Sequence, residues 1–185
     1  MPQRRIYKYS LPVAVVFLIL SLAGCTGQSG RDSKPATGVV EMSESGLRMP
    51  AFSLPSLLSG DSVIESDSFQ GKVFLVSFFA SWCRSCLEEI PLLKKLHSRF
   101  ADRGFVLVAM AVDRENETGI KNLVKKQNIN YPVVLADEAV KKDFGGIAVL
   151  PTMFLVDREG KLIRKYSGHI DRDSLVQDIR QLLKL

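Results

Sequence analysis

The sequence predicts an α/β fold with a mixed central sheet, flanking helices and an N-terminal β-hairpin. Two apolar runs of strand length, at 73–79 and 105–112, are typical of central strands that are covered on both faces. Apolar residues at helical spacing follow at 90–100 and again at 175–183. Because each apolar stripe must be buried against another element, this alternation indicates a sheet with helices packed on it.

The first 24 residues have the features of an export signal. A basic start precedes an apolar stretch at 11–20, which is shorter than the roughly 20 residues of a membrane span. Leu22-Ala23-Gly24-Cys25 then resembles the bacterial lipobox, in which the cysteine receives lipid and becomes the mature N-terminus. We therefore predict a lipoprotein signal over 1–24 and lipid on Cys25; the alternative is a spare thiol in an uncleaved anchor.

Removal of the signal changes the charge of the chain. The signal holds three cations and no acidic residue, so the formal charge falls from +5 to +2. This small charge gives no reason to expect a nucleic-acid partner.

The next segment, 25–50, is rich in Ser, Gly, Thr and Pro and predicts a flexible tether. The predicted location is the cell envelope, on the extracytoplasmic side. Thr26 is not the aspartate that retains many lipoproteins in the inner membrane, and the choice of membrane stays open.

The folded domain is predicted over 51–185, a length that suits a single domain. Turn residues at Gly60-Asp61 and at 157–161 indicate two hairpins. In chain order, the predicted elements are a hairpin over 52–57 and 62–65, a strand at 73–79, a helix at 84–102, a strand at 105–112, a helix at 120–127, a strand at 132–135, a helix at 137–144, a hairpin over 152–156 and 162–166, and a last helix capped by Asp171 or Asp173.

The pentapeptide Trp82-Cys83-Arg84-Ser85-Cys86 lies between the first apolar run and the helix that follows it. Residues three apart on a helix share one face, with Cβ atoms about 5–6 Å apart, which is near the range that a disulfide tolerates. The unpaired N–H groups and the dipole of a helix N-terminus favour a thiolate, the reactive form of cysteine. We therefore predict thiol–disulfide exchange, with no cofactor beyond the redox-active disulfide Cys83–Cys86.

Three other roles for the cysteine pair are weaker. A structural disulfide would close a very small loop and add little stability. A zinc site needs about four ligands, and the chain adds only His97 and His169, which we predict at the surface. Haem attachment needs a histidine directly after the second cysteine, where the chain has Leu87. Redox chemistry is therefore the preferred interpretation, and no metal is predicted.

The order of strand, Trp-Cys-x-x-Cys, helix, and a later Leu150-Pro151-Thr152 before a hairpin and final helix resembles thioredoxin. More narrowly, the domain resembles the membrane-tethered TlpA/ResA-type thiol–disulfide oxidoreductases of bacterial envelopes. That resemblance also rests on Gly71-Lys72, on the extra helix-strand segment between Glu117 and Phe144, and on 157–160. It covers essentially all of 51–185 and implies a thioredoxin fold.

The resemblance implies catalytic roles for individual residues. Cys83 matches the attacking thiol, and Cys86 matches the resolving thiol. Glu89 matches an acid that members of this group place near the pair. Ser77 stands where plain thioredoxins keep a buried aspartate, so Glu89 becomes the natural proton acceptor.

The resemblance also places client binding beside the cysteines. Pro151 matches a cis-proline that faces them, and we expect Leu150 and its backbone to pair with an extended client segment. Trp82 is either a core residue or an exposed residue that stacks on a client. Arg84 departs from the Gly-Pro or Glu-Pro that relatives often carry between the cysteines, so the redox potential cannot be copied from the family.

Three functions stay open, and we prefer the first. It is a reductase of disulfides in exported proteins, with apocytochrome c as the best-known client in this family and a membrane thiol–disulfide donor of electrons. The second is an oxidant or isomerase of folding envelope proteins, which would use the same residues with opposite redox poise. The third is a non-catalytic module that binds clients. In each case we expect a monomer that the lipid on Cys25 holds at the membrane.

Overall fold

A six-stranded mixed sheet forms the centre of the computed structural model, which describes residues 39–41, 46–58 and 62–185. The strands of the chain are β1 (Val39–Glu41), β2 (Ser53–Pro55), β3 (Val63–Glu65), β4 (Val73–Phe79), β5 (Phe105–Ala111), β6 (Val133–Leu135), β7 (Thr152–Val156) and β8 (Leu162–Ser167). The helices are α1 (Arg84–Phe100), α2 (Glu117–Lys126), α3 (Glu138–Asp143) and α4 (Arg172–Leu183).

The central sheet has the strand order β1-β8-β7-β4-β5-β6. Parallel β5 and antiparallel β7 flank β4, which therefore lies in the interior of the sheet. β6 runs parallel to β5, while β8 is antiparallel to both β7 and β1. β2 and β3 form a separate antiparallel hairpin. The mixed sheet, the N-terminal hairpin and the inserted segment of α2, β6 and α3 confirm the sequence prediction.

β4 is buried at all seven positions because other elements cover both of its faces. Successive side chains of a strand point to opposite faces, and Leu75 accordingly joins the apolar core formed with α1, α2 and α4. Phe78 joins a second core, formed with β2 and α3. Burial on both sides explains why the sequence of this strand is continuously apolar rather than alternating.

α1 begins directly after Cys83 and packs one apolar stripe against the sheet. Its buried apolar residues are Ile90, Leu93, Leu96 and Phe100. This spacing of three or four residues places them on one helix face, as predicted. This stripe packs the helix against the sheet from its second turn to its end.

β1 shows that the predicted tether extends too far toward the C-terminus. Val39–Glu41 pairs with β8, and Arg48 bridges Lys161, although the sequence predicted a flexible segment throughout 25–50. Without this pairing β8 would present a row of unsatisfied backbone groups at the edge of the sheet. The predicted signal, Cys25, the tether residues up to 38 and at 42–45, and the predicted turn at Gly60-Asp61 lie outside the described residues. Among the described residues, no helix has the length and apolar character needed to cross a membrane.

Candidate active site

The cysteine pair lies where β4 ends and α1 begins. β4 ends at Phe79, and a short turn leads to Cys83, the N-cap residue of α1. The backbone N–H of Cys83 donates to the carbonyl of Ala80 at 3.1 Å and closes this turn. Strand and helix together therefore hold the pair at the C-terminal end of β4.

Cys83 and Cys86 are joined by a disulfide, with their Cα atoms 5.3 Å apart. The backbone N–H of Cys86 donates to the sulfur of Cys83 at 3.3 Å, and the hydroxyl of Ser85 lies 3.5 Å from the same sulfur. Donors of this kind, together with the helix N-terminus, stabilise negative charge on a sulfur. The local geometry therefore suits Cys83 to carry the thiolate.

Glu89 is buried inside the protein, as its expected role requires. Only 5% of the residue is exposed, and its Oε2 atom is buried without a hydrogen-bond partner in the described structure. Glu89 and Cys86 line one small cavity of about 10 Å³, which Ser77, Tyr131 and Pro151 also border. This is close to the space that one water molecule needs. The carboxyl group and the Cys86 side chain therefore share one enclosed volume.

Burial raises the pKa of Glu89 above its ordinary value of 4.5, because desolvation disfavours the charged form. The positive charges of Arg172 and His169 act in the opposite direction. Arg172 also donates to the backbone carbonyl of Glu88 at 3.2 Å, which holds the start of α4 against α1. A carboxyl group with a raised pKa can accept a proton near neutral pH and release it again.

The peptide bond between Leu150 and Pro151 is cis, as the resemblance implies. Pro151 borders the small cavity beside Cys86. Leu150 instead lines an open groove of about 850 Å³ together with Trp82 and Cys83. Pro151 thus lies in one cavity with Cys86 and Leu150 in one groove with Cys83, and their role in client binding stays a prediction.

Trp82 stands at the rim of this groove and is 72% exposed, which excludes the core role that the sequence left open. The groove also contains apolar Val112 and Ile147, and an exposed ion pair between Arg84 and Glu88, at 3.1 Å, lies along its lining. The groove beside Cys83 is therefore lined by both apolar and charged side chains.

Sequence reasoning did not single out Asp113, which contacts the turn before Cys83. Asp113 follows β5 and is 3% exposed. Its Oδ2 atom accepts hydrogen bonds from the backbone N–H of Ser81 at 3.0 Å and from the Ser81 hydroxyl at 2.5 Å. The sequence carries only part of the signal: Ser81 follows the first apolar run and Asp113 follows the second, but the parallel register of β4 and β5 brings the two residues together.

The two histidines do not act as a ligand set for the cysteines. His97 is half-buried beside the ring of Tyr131, with the ring centroids 6.3 Å apart, and burial lowers the pKa of His97. The predicted surface position is therefore wrong for His97 and confirmed for His169, which is exposed. Within the described part of the chain, no group of three or more His, Cys, Asp or Glu residues is placed to hold a metal ion.

Known proteins resemble this chain over the whole folded domain. The model of the Redoxin family matches residues 44–183. The thiol-disulfide oxidoreductase ResA of Bacillus cereus is 30% identical over 171 residues, which cover 91% of this chain and 93% of that protein.

Two solved structures agree with this comparison. A thiol:disulfide interchange protein of the thioredoxin family from Chlorobium tepidum has a TM-score of 0.68 at 31% identity, covering 75% of this chain and 97% of its own. The thioredoxin domain of a thiol-disulfide oxidoreductase from Bacteroides vulgatus has a TM-score of 0.65 at 26% identity, covering 75% of this chain and 96% of its own. The fold is therefore the thioredoxin fold, as predicted.

Proposed function

This chain belongs to the Redoxin family and is a thioredoxin-like thiol–disulfide oxidoreductase of the ResA type, and on that premise we propose that it reduces disulfides in exported client proteins through Cys83 and Cys86. One observation carries the proposal. The Cys83 sulfur caps α1 and accepts the Cys86 N–H, while Glu89 is buried in the cavity that Cys86 lines.

The proposed reaction has two exchange steps. The Cys83 thiolate attacks one sulfur of a client disulfide, and the other client sulfur leaves as a thiolate. Cys86 then gives its proton to the Glu89 carboxylate and attacks the Cys83 sulfur, so that the second client sulfur also leaves. The client gains two electrons and takes up protons from water, and the Cys83–Cys86 disulfide forms. A thiol–disulfide donor in the membrane would reduce this disulfide again.

The direction of electron flow depends on which state of the cysteine pair the protein stabilises. A buried carboxyl group beside Cys86 disfavours negative charge on that sulfur, both by desolvation and, when ionised, by repulsion. Less stabilisation of the thiolate favours the disulfide form of this protein. The donors at the Cys83 sulfur act in the opposite direction, because they stabilise the reduced form. Our preference for a reductase therefore rests on the environment of Cys86 together with the family resemblance, and apocytochrome c is our proposed client on that resemblance.

The equilibrium redox potential of the Cys83–Cys86 pair tests the proposal. Fluorescence of the adjacent Trp82 in thiol buffers would report the fraction of disulfide. We expect a potential closer to that of thioredoxin, about −270 mV, than to that of the oxidant DsbA, about −120 mV. A chain with both cysteines changed to serine should show no redox-dependent fluorescence. A potential near the oxidant value would favour the second function instead.

We further propose that the protein is held on the extracytoplasmic side of the membrane by lipid on Cys25. This proposal rests on the pattern Leu22-Ala23-Gly24-Cys25 behind an apolar stretch and a basic start. Lipid on Cys25 would also leave no unpaired thiol in the chain, because Cys83 and Cys86 pair with each other. The absence of a free thiol suits an oxidising compartment.

Cys25→Ser is expected to leave the chain uncleaved or to release it from the membrane without lipid, since serine offers no thiol to modify. Intact mass spectrometry of membrane and soluble fractions would measure both effects. The native chain, expressed in the same cells, is the control. Lipid on the Cys25→Ser chain, or none on the native chain, would contradict the anchor.

A further inference from the structure

We propose that Asp113 is a positioning residue for disulfide exchange: through Ser81, it fixes the turn that presents Trp82 and Cys83. The inference rests on the proposed role of Cys83 as the attacking thiol. It assigns a task to a buried carboxylate that takes no part in the two exchange steps.

The contacts of Ser81 show how the carboxylate holds the turn. Asp113 Oδ2 accepts both the backbone N–H and the hydroxyl of Ser81, at 3.0 and 2.5 Å. The same hydroxyl accepts a hydrogen bond from the side-chain amide of Asn116 at 2.9 Å. A serine hydroxyl has one proton to donate and oxygen lone pairs to accept with. Both capacities are used here, so the Ser81 hydroxyl has a fixed orientation.

Ser81 lies only two residues before Cys83, inside a turn that is fixed at both ends. Before it, the carbonyl of Phe79 accepts the N–H of Val112 at 2.9 Å, which joins the end of β4 to the end of β5. After it, the N–H of Cys83 donates to the carbonyl of Ala80 at 3.1 Å. Asp113 supplies the contact between these two points. Loss of that contact would free the middle of the turn and the residues that it presents.

The burial of Asp113 indicates that this contact has a purpose beyond packing. The residue is 3% exposed, and its Oδ1 atom is buried with no hydrogen-bond partner in the described structure. Burying a carboxylate oxygen without a partner is unfavourable. Natural proteins tend to keep such unfavourable groups at functional sites, where geometry matters more than stability.

The start of α2 is also adapted to this contact. Asn116 is the N-cap residue of α2, yet its side chain makes no capping hydrogen bond and donates to Ser81 instead. Gly119 leaves room for this conformation, because a Cβ atom there would lie 2.4 Å from the Asn116 amide atoms. In the inserted segment, Asn116 therefore contacts the turn before Cys83 instead of capping α2.

Positioning of this kind acts on the rate of exchange. A thiolate must approach a disulfide along the axis of its S–S bond, and small errors in placement lower the rate strongly. We expect Asp113→Ala to slow exchange between the reduced protein and an aromatic disulfide reagent by about tenfold. Ser81→Ala removes only one of the two hydrogen bonds to Asp113, so a smaller loss is expected.

Three comparisons separate positioning from a general loss of stability. The double variant Ser81→Ala/Asp113→Ala should be no slower than Asp113→Ala alone, because Asp113 acts through Ser81. Asp113→Asn keeps an acceptor oxygen and should recover most of the rate. Asp137 is the matched control, since it accepts the N–H of Val140 at 2.8 Å as the cap of α3. Asp137→Ala should lower the melting temperature without slowing exchange.

Each outcome decides between the alternatives. Three results overturn the inference. They are exchange by Asp113→Ala at the wild-type rate, additive losses of rate in the double variant, and equal losses of rate for Asp113→Asn and Asp113→Ala. An equal slowing by Asp137→Ala would also overturn it, because stability alone would then explain the effect. If Asp113→Ala fails to fold, Ser81→Ala carries the test: slower exchange than the wild-type protein supports the inference, and exchange at the wild-type rate overturns it. No exchange by the wild-type protein would refute the proposed function rather than the role of Asp113.

Discussion

Cys86→Ser is expected to accumulate mixed disulfides with client proteins, whereas Cys83→Ser is expected to accumulate none. Without Cys86 the first exchange step still occurs, but no internal thiol can resolve the mixed disulfide. Without Cys83 the attacking thiolate is lost. Non-reducing electrophoresis of cell extracts, followed by mass spectrometry of the trapped species, would measure the difference.

The assignment of the two cysteines rests on hydrogen bonding rather than on exposure. Cys83 and Cys86 are 6% and 4% exposed, so the greater exposure expected of the first cysteine is too small to decide between them. The Cys83 sulfur, however, accepts the N–H of Cys86 at the helix N-terminus. Trapping by Cys83→Ser instead of Cys86→Ser would reverse the roles.

Glu89→Gln is expected to slow the complete exchange cycle by at least about tenfold near neutral pH, because glutamine cannot accept the proton of Cys86. Stopped-flow mixing of the reduced protein with a disulfide substrate would measure the second exchange step directly. In the wild-type protein, the rate of this step should rise with pH as the Glu89 carboxyl group ionises, above its ordinary pKa of 4.5. That dependence should be absent from Glu89→Gln.

Glu88→Gln is the matched control, because Glu88 is the adjacent carboxylate but is exposed and paired with Arg84. It should leave the exchange rate close to that of the wild-type protein. Equal slowing by the two substitutions would show that the effect is not specific to the buried carboxyl group. Another proton acceptor for Cys86 would then be needed.

The same Glu89→Gln variant gives a second readout in stability. A carboxyl group whose pKa is raised by folding stabilises the native state below its unfolded pKa, and this contribution is lost as pH rises through the folded pKa. Glutamine stays neutral throughout. As pH rises above 4.5, the free energy of unfolding of the wild-type protein should therefore fall relative to that of Glu89→Gln. Urea titrations across this range would measure it.

Local sequence patterns predicted most of the fold. The strands at 73–79 and 105–112 were recognisable as continuous apolar runs because both of their faces are buried. The helices were recognisable because burial of one face gives their apolar residues a helical spacing. The boundaries moved by only a few residues, as for α1, which ends at Phe100 rather than at 102. β1 was missed because three residues are too few to show a period, and its pairing with β8 satisfies backbone groups whatever the side chains.

The contacts around the site were less predictable, because they join residues far apart in the chain. The spacing of Cys83, Cys86 and Glu89 on one helix could be read directly. Ser81 and Asp113 are 32 residues apart, and Arg172 reaches the carbonyl of Glu88 from 84 residues away. Such pairs depend on strand register and helix packing, which no local pattern specifies.

The edge strands of the central sheet are short, and this affects the tendency of the protein to aggregate with its clients. β1 and β6 are each three residues long, and the N–H of Leu57 donates to the carbonyl of Val133 at 2.8 Å, which covers part of the β6 edge. Long open edges act as templates on which other chains add strands and aggregate. An enzyme that repeatedly meets unfolded polypeptide would be at particular risk of co-aggregation with it. Short and partly covered edges reduce that risk for a protein that exchanges disulfides with its clients.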